Sequence, residues 1–214
     1  MEQEKFSWKE MTWKQRWQYF MDYYFKITLV IVIAAGLVIS FIKTVFFDKT
    51  ETMVSMMVVD ESIYMELDRA EEELKEKMGW TEKYQAAPFT LMSTGNYQTE
   101  VAIFTRLQAA SVDVMICDRE TFDTYTGYGY FDEAEKYIPE GMDLSDTFIT
   151  GCISERDDMG EVVGYGEELV YGFDLSGSEK YKELGGTLEN PVLAVTANGE
   201  HRDMAASVIA YFFE

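Results

Sequence analysis

The chain has 214 residues, of which 39 are acidic and 18 are basic, so its formal net charge is −21. A charge of that sign and size excludes a nucleic-acid-binding role, because contact with a phosphate backbone requires a basic surface. The length and the 47% hydrophobic content are enough for one domain with a real core in addition to a membrane segment.

The most apolar stretch is residues 27–47, ITLVIVIAAGLVISFIKTVFF, whose only charged residue is Lys43. As a helix it is roughly 30 Å long, which matches the hydrocarbon core of a bilayer. The 26 residues before it are too many for a secretory signal, and no small-residue cleavage site follows. The sequence therefore predicts a retained single-pass transmembrane helix. The alternative is the buried core helix of a soluble domain, which usually carries regular polar positions.

The distribution of basic residues predicts the orientation of this helix. Residues 1–26 contain five basic side chains, whereas only Lys43 and Lys49 are basic near the other end. The positive-inside rule therefore places the amino terminus in the cytoplasm. Residues 50–214 carry 34 acidic and 11 basic side chains, a charge of −23, which an anionic inner leaflet repels. We predict a cell-membrane protein with an extracellular carboxyl-terminal domain.

Residues 1–26 are rich in aromatic side chains at helical spacing. This pattern predicts an amphipathic helix that lies in the bilayer interface. Two alternatives are an ordinary aromatic belt before the transmembrane helix and docking on a partner membrane subunit. The aromatic residues expected at the membrane interface are Trp8, Trp13, Trp17, Phe20 and Tyr24.

After a linker at 48–52, apolar runs alternate with amphipathic segments in a domain that spans 53–214. The predicted strands are Met53–Val59, Tyr84–Met92 and Ser111–Cys117, and the predicted helices are Ile63–Met78 and Tyr97–Ala110. This order predicts an α/β fold, a three-layer open sheet of parallel strands with right-handed crossovers. Pro88 implies that the second strand is an edge or bulged strand, and Gly79 ends the first helix. Glu71–Glu73 is interpreted as a solvated helix face.

The sequence pattern changes after Tyr137, where glycines separate short apolar runs. These runs predict several short antiparallel strands, with a hydrophilic hairpin tip at Glu155–Gly160. The chain then closes with a predicted strand at Pro191–Thr196 and a predicted helix from His201 to Phe213.

Catalytic and metal motifs are weak. His201 is the only histidine, and no nucleophile motif accompanies it, so we predict a protein that is not an enzyme. One histidine and two distant cysteines do not make a zinc site, and no cofactor motif is present. Cys117 and Cys152 form a disulfide or, alternatively, remain two buried free thiols.

Polar residues follow each predicted parallel strand, and ligands in open α/β sheets bind beyond the carboxyl ends of the strands. Tyrosines after the third strand suit sugars, peptides or protein partners. The alternative is that Asp60, Asn96 and Asp118 cap the helices that follow them. The candidate ligand-binding residues are Asp60, Glu61, Ser93, Thr94, Asn96, Asp118, Arg119, Tyr125 and Tyr128.

Several segments resemble a known family. Val112–Asp118 and the Gly127–Asp132 segment after it resemble the extracellular solute-binding proteins of ABC importers, and Pro191–Asn198 with Met204–Phe212 looks like their carboxyl-terminal ending. The Trp/Tyr-rich segment before the apolar stretch is similar to uncharacterised membrane-anchored proteins of Gram-positive Firmicutes.

The resemblance implies a domain equivalent to one periplasmic-binding-protein lobe, since residues 50–214 number 165 and the family has two lobes. It implies a protein that binds a small solute or a partner at the cell surface, next to the lipid bilayer. One alternative is an accessory subunit of a transporter or another membrane complex. An extracytoplasmic hydrolase is the second alternative.

Overall fold

The computed structural model describes residues 12–46, 50–82 and 84–214. The chain divides into two compact units, Met1–Lys49 and Thr50–Glu214. The sequence predicted segments that end at residues 26, 47 and 52. The predicted linker, residues 48–52, therefore contains the division between the two units.

Within the amino-terminal unit, residues 13–46 form one continuous helical stretch. It comprises α1 (Trp13–Tyr19), a π-helical turn (Phe20–Tyr24) and α2 (Phe25–Phe46). The predicted division at residue 26 is therefore not a break in the helix. In the π turn the Phe25 N–H donates to the Phe20 carbonyl, five residues back, which rotates Tyr24 away from the α-helical spacing that predicted a common aromatic face.

Arg16–Lys43 is long and apolar enough to cross a membrane; its most apolar 18-residue window has a mean hydropathy of 2.6, and none of that window is buried. Trp13 is 82% exposed, and Trp17 and Tyr24 are also exposed, while Phe20 is half-buried. Trp8 lies outside the described residues.

The second unit is built on a six-stranded sheet in the order β4-β2-β5-β8-β7-β6. Its strands are β2 (Met56–Val59), β4 (Phe89–Met92), β5 (Val114–Cys117), β6 (Phe148–Arg156), β7 (Val162–Asp174) and β8 (Val192–Val195); β1 (Glu51–Thr52) and β3 (Gln85–Ala86) form a separate parallel pair. Its helices are α3 (Leu67–Met78), α4 (Tyr97–Gln108), α5 (Arg119–Gly127), α6 (Glu179–Glu183) and α7 (Ala205–Phe213), with 3-10 turns at Ala134–Tyr137, Ser145–Thr147 and Arg202–Met204.

The sheet is mixed: the three amino-terminal strands are parallel, as predicted, and the strands after Tyr137 are antiparallel. β2 runs parallel to β4 and β5, but β8 is antiparallel to both β5 and β7. A central strand buried on both faces shows the same apolar run in either direction. The local pattern at β8 therefore did not reveal its direction.

Alternate side chains of the central strands fill two cores, which gives the predicted three layers. Met56, Val58, Val114, Ile116, Leu193 and Val195 pack with α3 and α7 on one face. Met57, Val59, Met115, Cys117, Val192 and Ala194 pack with α4 and α5 on the other. This two-sided burial explains why the strands contain almost no polar residues.

Two elements differ from prediction in their boundaries, the first helix and the second strand. Helix α3 begins at Leu67, because Ile63 and Tyr64 lie in a turn, with Ile63 79% exposed. It ends as predicted at Gly79, whose φ is 68°. Pro88 splits the predicted second strand into β3 and β4, and β4 is an edge strand as predicted.

The glycine-rich region forms one hairpin instead of several short strands. β6 has nine residues and β7 has thirteen, and they are joined near the predicted tip, where the Asp157 N–H donates to the Glu161 carbonyl at 3.0 Å. Only Gly172–Asp174 of β7 pairs with β8. The hairpin therefore extends well beyond the rest of the sheet.

Buried polar contacts join the sheet to the helices. Asp113, 1% exposed, accepts hydrogen bonds from the Ser55 N–H at 2.7 Å and the His201 N–H at 2.6 Å. Glu73 accepts from Tyr211 at 2.8 Å and pairs with Lys180 at 3.0 Å and Arg69 at 2.7 Å. Glu73 therefore links α3 to α6 and α7, while its side chain remains 31% exposed.

The Glu73 contacts predict a specific acid sensitivity. Hydrogen bonds from Tyr211, Lys180 and Arg69 lower the pKa of Glu73 from 4.5 to about 2. Since the folded pKa is depressed, this stabilisation is complete above pH 4.5 and is lost as pH falls towards about 2. We expect Glu73→Gln to lower the unfolding free energy by about 1 kcal/mol at neutral pH and by less in acid. Denaturant unfolding at several pH values measures this difference, and Glu72→Gln on the exposed side of α3 should change nothing.

Candidate ligand-binding cleft

Helices α4 and α5 follow the carboxyl ends of β4 and β5, the parallel strands on either side of β2, and both helices are capped as the sequence suggested. The Asn96 side chain accepts from the Thr99 N–H at 3.0 Å and begins α4. The Asp118 side chain accepts from the Thr121 N–H at 2.8 Å and begins α5. The capping interpretation is therefore confirmed for these two residues.

A cleft of about 730 Å³ lies between α4 and α5. Each helix presents to it a stripe of side chains at spacings of three and four residues, as expected for one face of a helix. The lining residues are Thr94, Tyr97, Glu100, Val101, Phe104, Asp118, Glu120, Thr121, Thr124, Tyr125 and Tyr128.

The cleft contains four of the nine predicted ligand residues, Thr94, Asp118, Tyr125 and Tyr128. It also contains the α4 stripe, which the sequence argument missed. The amphipathic pattern of α4 is visible in the sequence, but the residues of this helix that are buried in the core are Ile103 and Leu107. The remaining face carries Val101 and Phe104 to the surface, where an apolar pair on a solvated helix is itself a signal of a binding surface.

Asp60 supports the cleft without lining it. It has a left-handed φ of 58° and accepts from the Ser93 hydroxyl at 2.9 Å and the Thr94 N–H at 2.8 Å. These bonds fix the loop after β4, which carries Thr94 into the cleft. The prediction that Asp60 caps a helix is wrong, because the next helix begins at Leu67.

Glu61 is a structural residue remote from the cleft lining. It is 7% exposed and accepts from the Thr187 N–H at 2.9 Å, the Thr187 hydroxyl at 2.6 Å and the Tyr181 hydroxyl. Burial acts to raise the pKa of Glu61, but hydrogen bonds from Thr187, Tyr181 and Ser62 outweigh it and lower the pKa. The carboxylate thus stays charged and holds the loop before β8.

Arg119 also lies outside the cleft lining. Its guanidinium pairs with Asp123 at 2.8 Å and donates to the Thr150 carbonyl at 3.1 Å, so it tethers α5 to β6. Tyr128 contacts the same hairpin, since the Arg156 guanidinium lies 4.4 Å from the centre of its ring.

Aromatic rings form one wall of the cleft and its support. Tyr130 packs edge-on against Phe104 at 5.4 Å and against Tyr125 at 6.0 Å. Burial, followed by the charge of Glu100, raises the pKa of Tyr125 to about 12. Among the described residues, no group makes a hydrogen bond to the Tyr125 hydroxyl, so that donor is available to a ligand.

The cleft lining is acidic. Glu100, Asp118 and Glu120 supply three carboxylates, and the eleven lining residues include no lysine, arginine or histidine. None of these three carboxylates takes part in an ion pair within the described chain. The lining also includes no serine or cysteine.

The two cysteines are free thiols, so the disulfide is not formed. Cys117 is in β5 and Cys152 is in β6, with β8 and β7 between them. Three inter-strand steps amount to roughly 14 Å, well beyond bridging range. Burial and the neighbouring Asp118 raise the pKa of Cys117, which keeps its thiol protonated.

Among residues 12–46, 50–82 and 84–214, no group of three histidine, cysteine or carboxylate side chains is placed to hold a metal ion. No family model, curated protein or solved structure matches the chain.

Proposed function

We propose that this protein is a single-pass membrane-anchored binding protein whose acidic domain binds a small solute outside the cell, in the α4–α5 cleft. The cleft carries this proposal. It lies beyond the carboxyl ends of β4 and β5, where open α/β sheets bind ligands. Its volume of about 730 Å³ is within the range of small-molecule sites.

The proposal extends the resemblance to one lobe of a solute-binding protein. The parallel strands β2, β4 and β5 with helices on both faces support it, as does the position of the cleft at their ends. A two-lobed binding protein encloses its ligand between lobes, whereas this cleft is open to solvent. We therefore expect modest affinity, or closure of the cleft by a second protein.

The anchor in this proposal is the helix Arg16–Lys43, with the amino terminus in the cytoplasm. Its length and the hydropathy of 2.6 in its most apolar 18-residue window support insertion, and the charge of −23 on residues 50–214 supports an extracellular domain. Protease added to intact cells should remove an epitope tag at the carboxyl terminus and spare one at the amino terminus. The opposite pattern would reverse the orientation.

Solute binding is tested by filling the cleft. Thr124 lines it and its hydroxyl donates to the Glu120 carbonyl at 2.9 Å. We expect Thr124→Trp to abolish stabilisation of the full-length protein by sugars, peptides or amines. For the wild type, a hundredfold excess over the dissociation constant contributes about 2.7 kcal/mol, which corresponds to roughly 5–10 °C in melting temperature.

A matched control exists on α4. Thr105 is an exposed helical threonine whose hydroxyl donates to the Val101 carbonyl at 2.7 Å, and it does not line the cleft. Thr105→Trp should retain the ligand-induced shift. A shift that survives Thr124→Trp would place the ligand elsewhere, and no shift with any solute would reject the proposal.

An accessory subunit of a membrane complex is the second candidate, and the hairpin β6–β7 favours it. Beyond its pairing with β8 the hairpin exposes apolar side chains, with Val163 66% and Tyr165 71% exposed. Such residues on a free ribbon suit contact with another protein. Mild-detergent purification should then recover a stoichiometric membrane subunit with the wild type and lose it with Val163→Asp. Recovery of this chain alone would reject the accessory role.

An extracytoplasmic hydrolase is the least supported of the three candidate functions. The cleft lining has hydroxyl groups and carboxylates but no histidine, serine or cysteine to form a nucleophile–base pair. Incubation of the protein with ester, peptide and glycoside substrates should yield no turnover, and sustained turnover lost in Thr124→Trp would restore this alternative.

A further inference from the structure

The ligand class follows from the lining of the α4–α5 cleft, and this step rests on the proposed function. We infer that the cleft binds an organic cation, namely an amine or quaternary ammonium compound with an apolar body. The observation behind it is the combination of three carboxylates and four aromatic rings with no basic side chain in the lining.

The charge balance of the cleft favours a cation. The amino-terminal ends of α4 and α5 contribute about half a positive charge each, which offsets roughly one carboxylate. The lining contains three carboxylates, those of Glu100, Asp118 and Glu120, so the net charge of the cleft remains negative. The rest of the domain adds to it, because residues 50–214 carry −23. An anionic solute is repelled from this cleft, and a neutral one gains nothing from the charge.

Two of the three carboxylates are available to pair with a ligand. Asp118 is engaged as the cap of α5, but Glu100 and Glu120 are exposed and make no ion pair with any described residue. They lie on facing helices, one on each side of the cleft. A cation bound between them can therefore be reached from both walls.

The aromatic side chains complete the site. A cation is attracted to the face of an aromatic ring, and the lining supplies Tyr97, Phe104, Tyr125 and Tyr128. The Tyr128 ring already holds the Arg156 guanidinium at 4.4 Å. Of the other three rings, Tyr97 is 79% and Phe104 38% exposed, whereas Tyr125 is buried. The Tyr125 hydroxyl, which has no partner among the described residues, can donate to a polar group on the apolar body of the ligand.

Isothermal titration of the full-length protein in detergent with choline tests this inference. The comparison ligand is the neutral isostere of choline in which carbon replaces the quaternary nitrogen, so that shape is kept and charge is removed. We expect choline to bind about tenfold more tightly at low ionic strength. The preference should shrink in high salt, because these carboxylates are exposed.

Variants assign the effect to the cleft. Glu100→Gln and Glu120→Gln should each weaken choline binding about threefold or more, and Tyr97→Ala should weaken it about two- to fivefold. Tyr97 is highly exposed, so its removal leaves the fold intact. Glu72→Gln, on a helix of the opposite sheet face, should have no effect.

Equal affinity for choline and its isostere, or no choline binding at millimolar concentration, would overturn the inference. The proposed function would survive that result if a neutral or anionic solute stabilised the wild type and not Thr124→Trp. If no solute of any charge did so, both would fail.

Discussion

Replacing Glu61 by alanine is expected to lower the unfolding free energy by about 3–5 kcal/mol, because the buried Tyr181 hydroxyl and three less buried donors lose a charged acceptor at once. The Tyr181 hydroxyl, the Thr187 hydroxyl and N–H, and the Leu188 N–H all point to this carboxylate. At this chain length the loss corresponds to roughly 6–20 °C in melting temperature. Thermal unfolding followed by circular dichroism measures it.

Glu61→Gln separates the charge from the geometry. Glutamine resembles the protonated side chain, and the folded pKa of Glu61 is lower than its ordinary 4.5. The charge therefore contributes fully above pH 4.5 and is lost as pH falls through the folded pKa. The stability gap between wild type and Glu61→Gln should narrow in acid. Glu189→Ala, at an exposed position in the same loop, should be neutral, and an equally small effect of Glu61→Ala would contradict this account.

Asp113→Ala is expected to lower the unfolding free energy by about 2–4 kcal/mol, because it leaves two partly buried backbone N–H groups without their acceptor. The Ser55 N–H precedes β2, and the His201 N–H precedes α7. One carboxylate therefore joins the start of the central strand to the last helix. Urea unfolding of the full-length protein in detergent measures the loss.

The control for this change is Asp146→Ala, because Asp146 is exposed in a 3-10 turn. Asp113→Asn keeps one acceptor oxygen and should fall between alanine and wild type. Wild-type stability in Asp113→Ala would mean that water or neighbouring groups satisfy these N–H donors, and would contradict the proposed link.

The strands were predictable because they are buried on both faces. Met56–Val59, Val114–Cys117 and Val192–Val195 each read as an apolar run bounded by polar or small residues. The order of the strands in the sheet and the direction of β8 were not predictable, because pairing between distant segments leaves no local sequence pattern. The long hairpin was missed for a related reason, since glycines within β6 and β7 looked like strand ends.

The candidate site was predictable only in outline. The rule that ligands bind at the carboxyl ends of parallel strands located Thr94 and Asp118, and the tyrosines after β5 located Tyr125 and Tyr128. The same rule wrongly included Glu61, because a carboxylate after a strand has the same sequence pattern whether it binds ligand or a neighbouring loop. The α4 wall, with Glu100, was missed because its apolar residues were assigned to the core.

Hydrogen–deuterium exchange of the full-length protein, with and without the solute that stabilises it most, tests the central claim most directly. Binding in the cleft should slow exchange in Tyr97–Gln108 and Arg119–Gly127 and leave Leu67–Met78, on the opposite face of the sheet, unchanged. Protection confined to Leu67–Met78 or to the hairpin, or no protection at saturating solute, would show that the cleft is not the binding site.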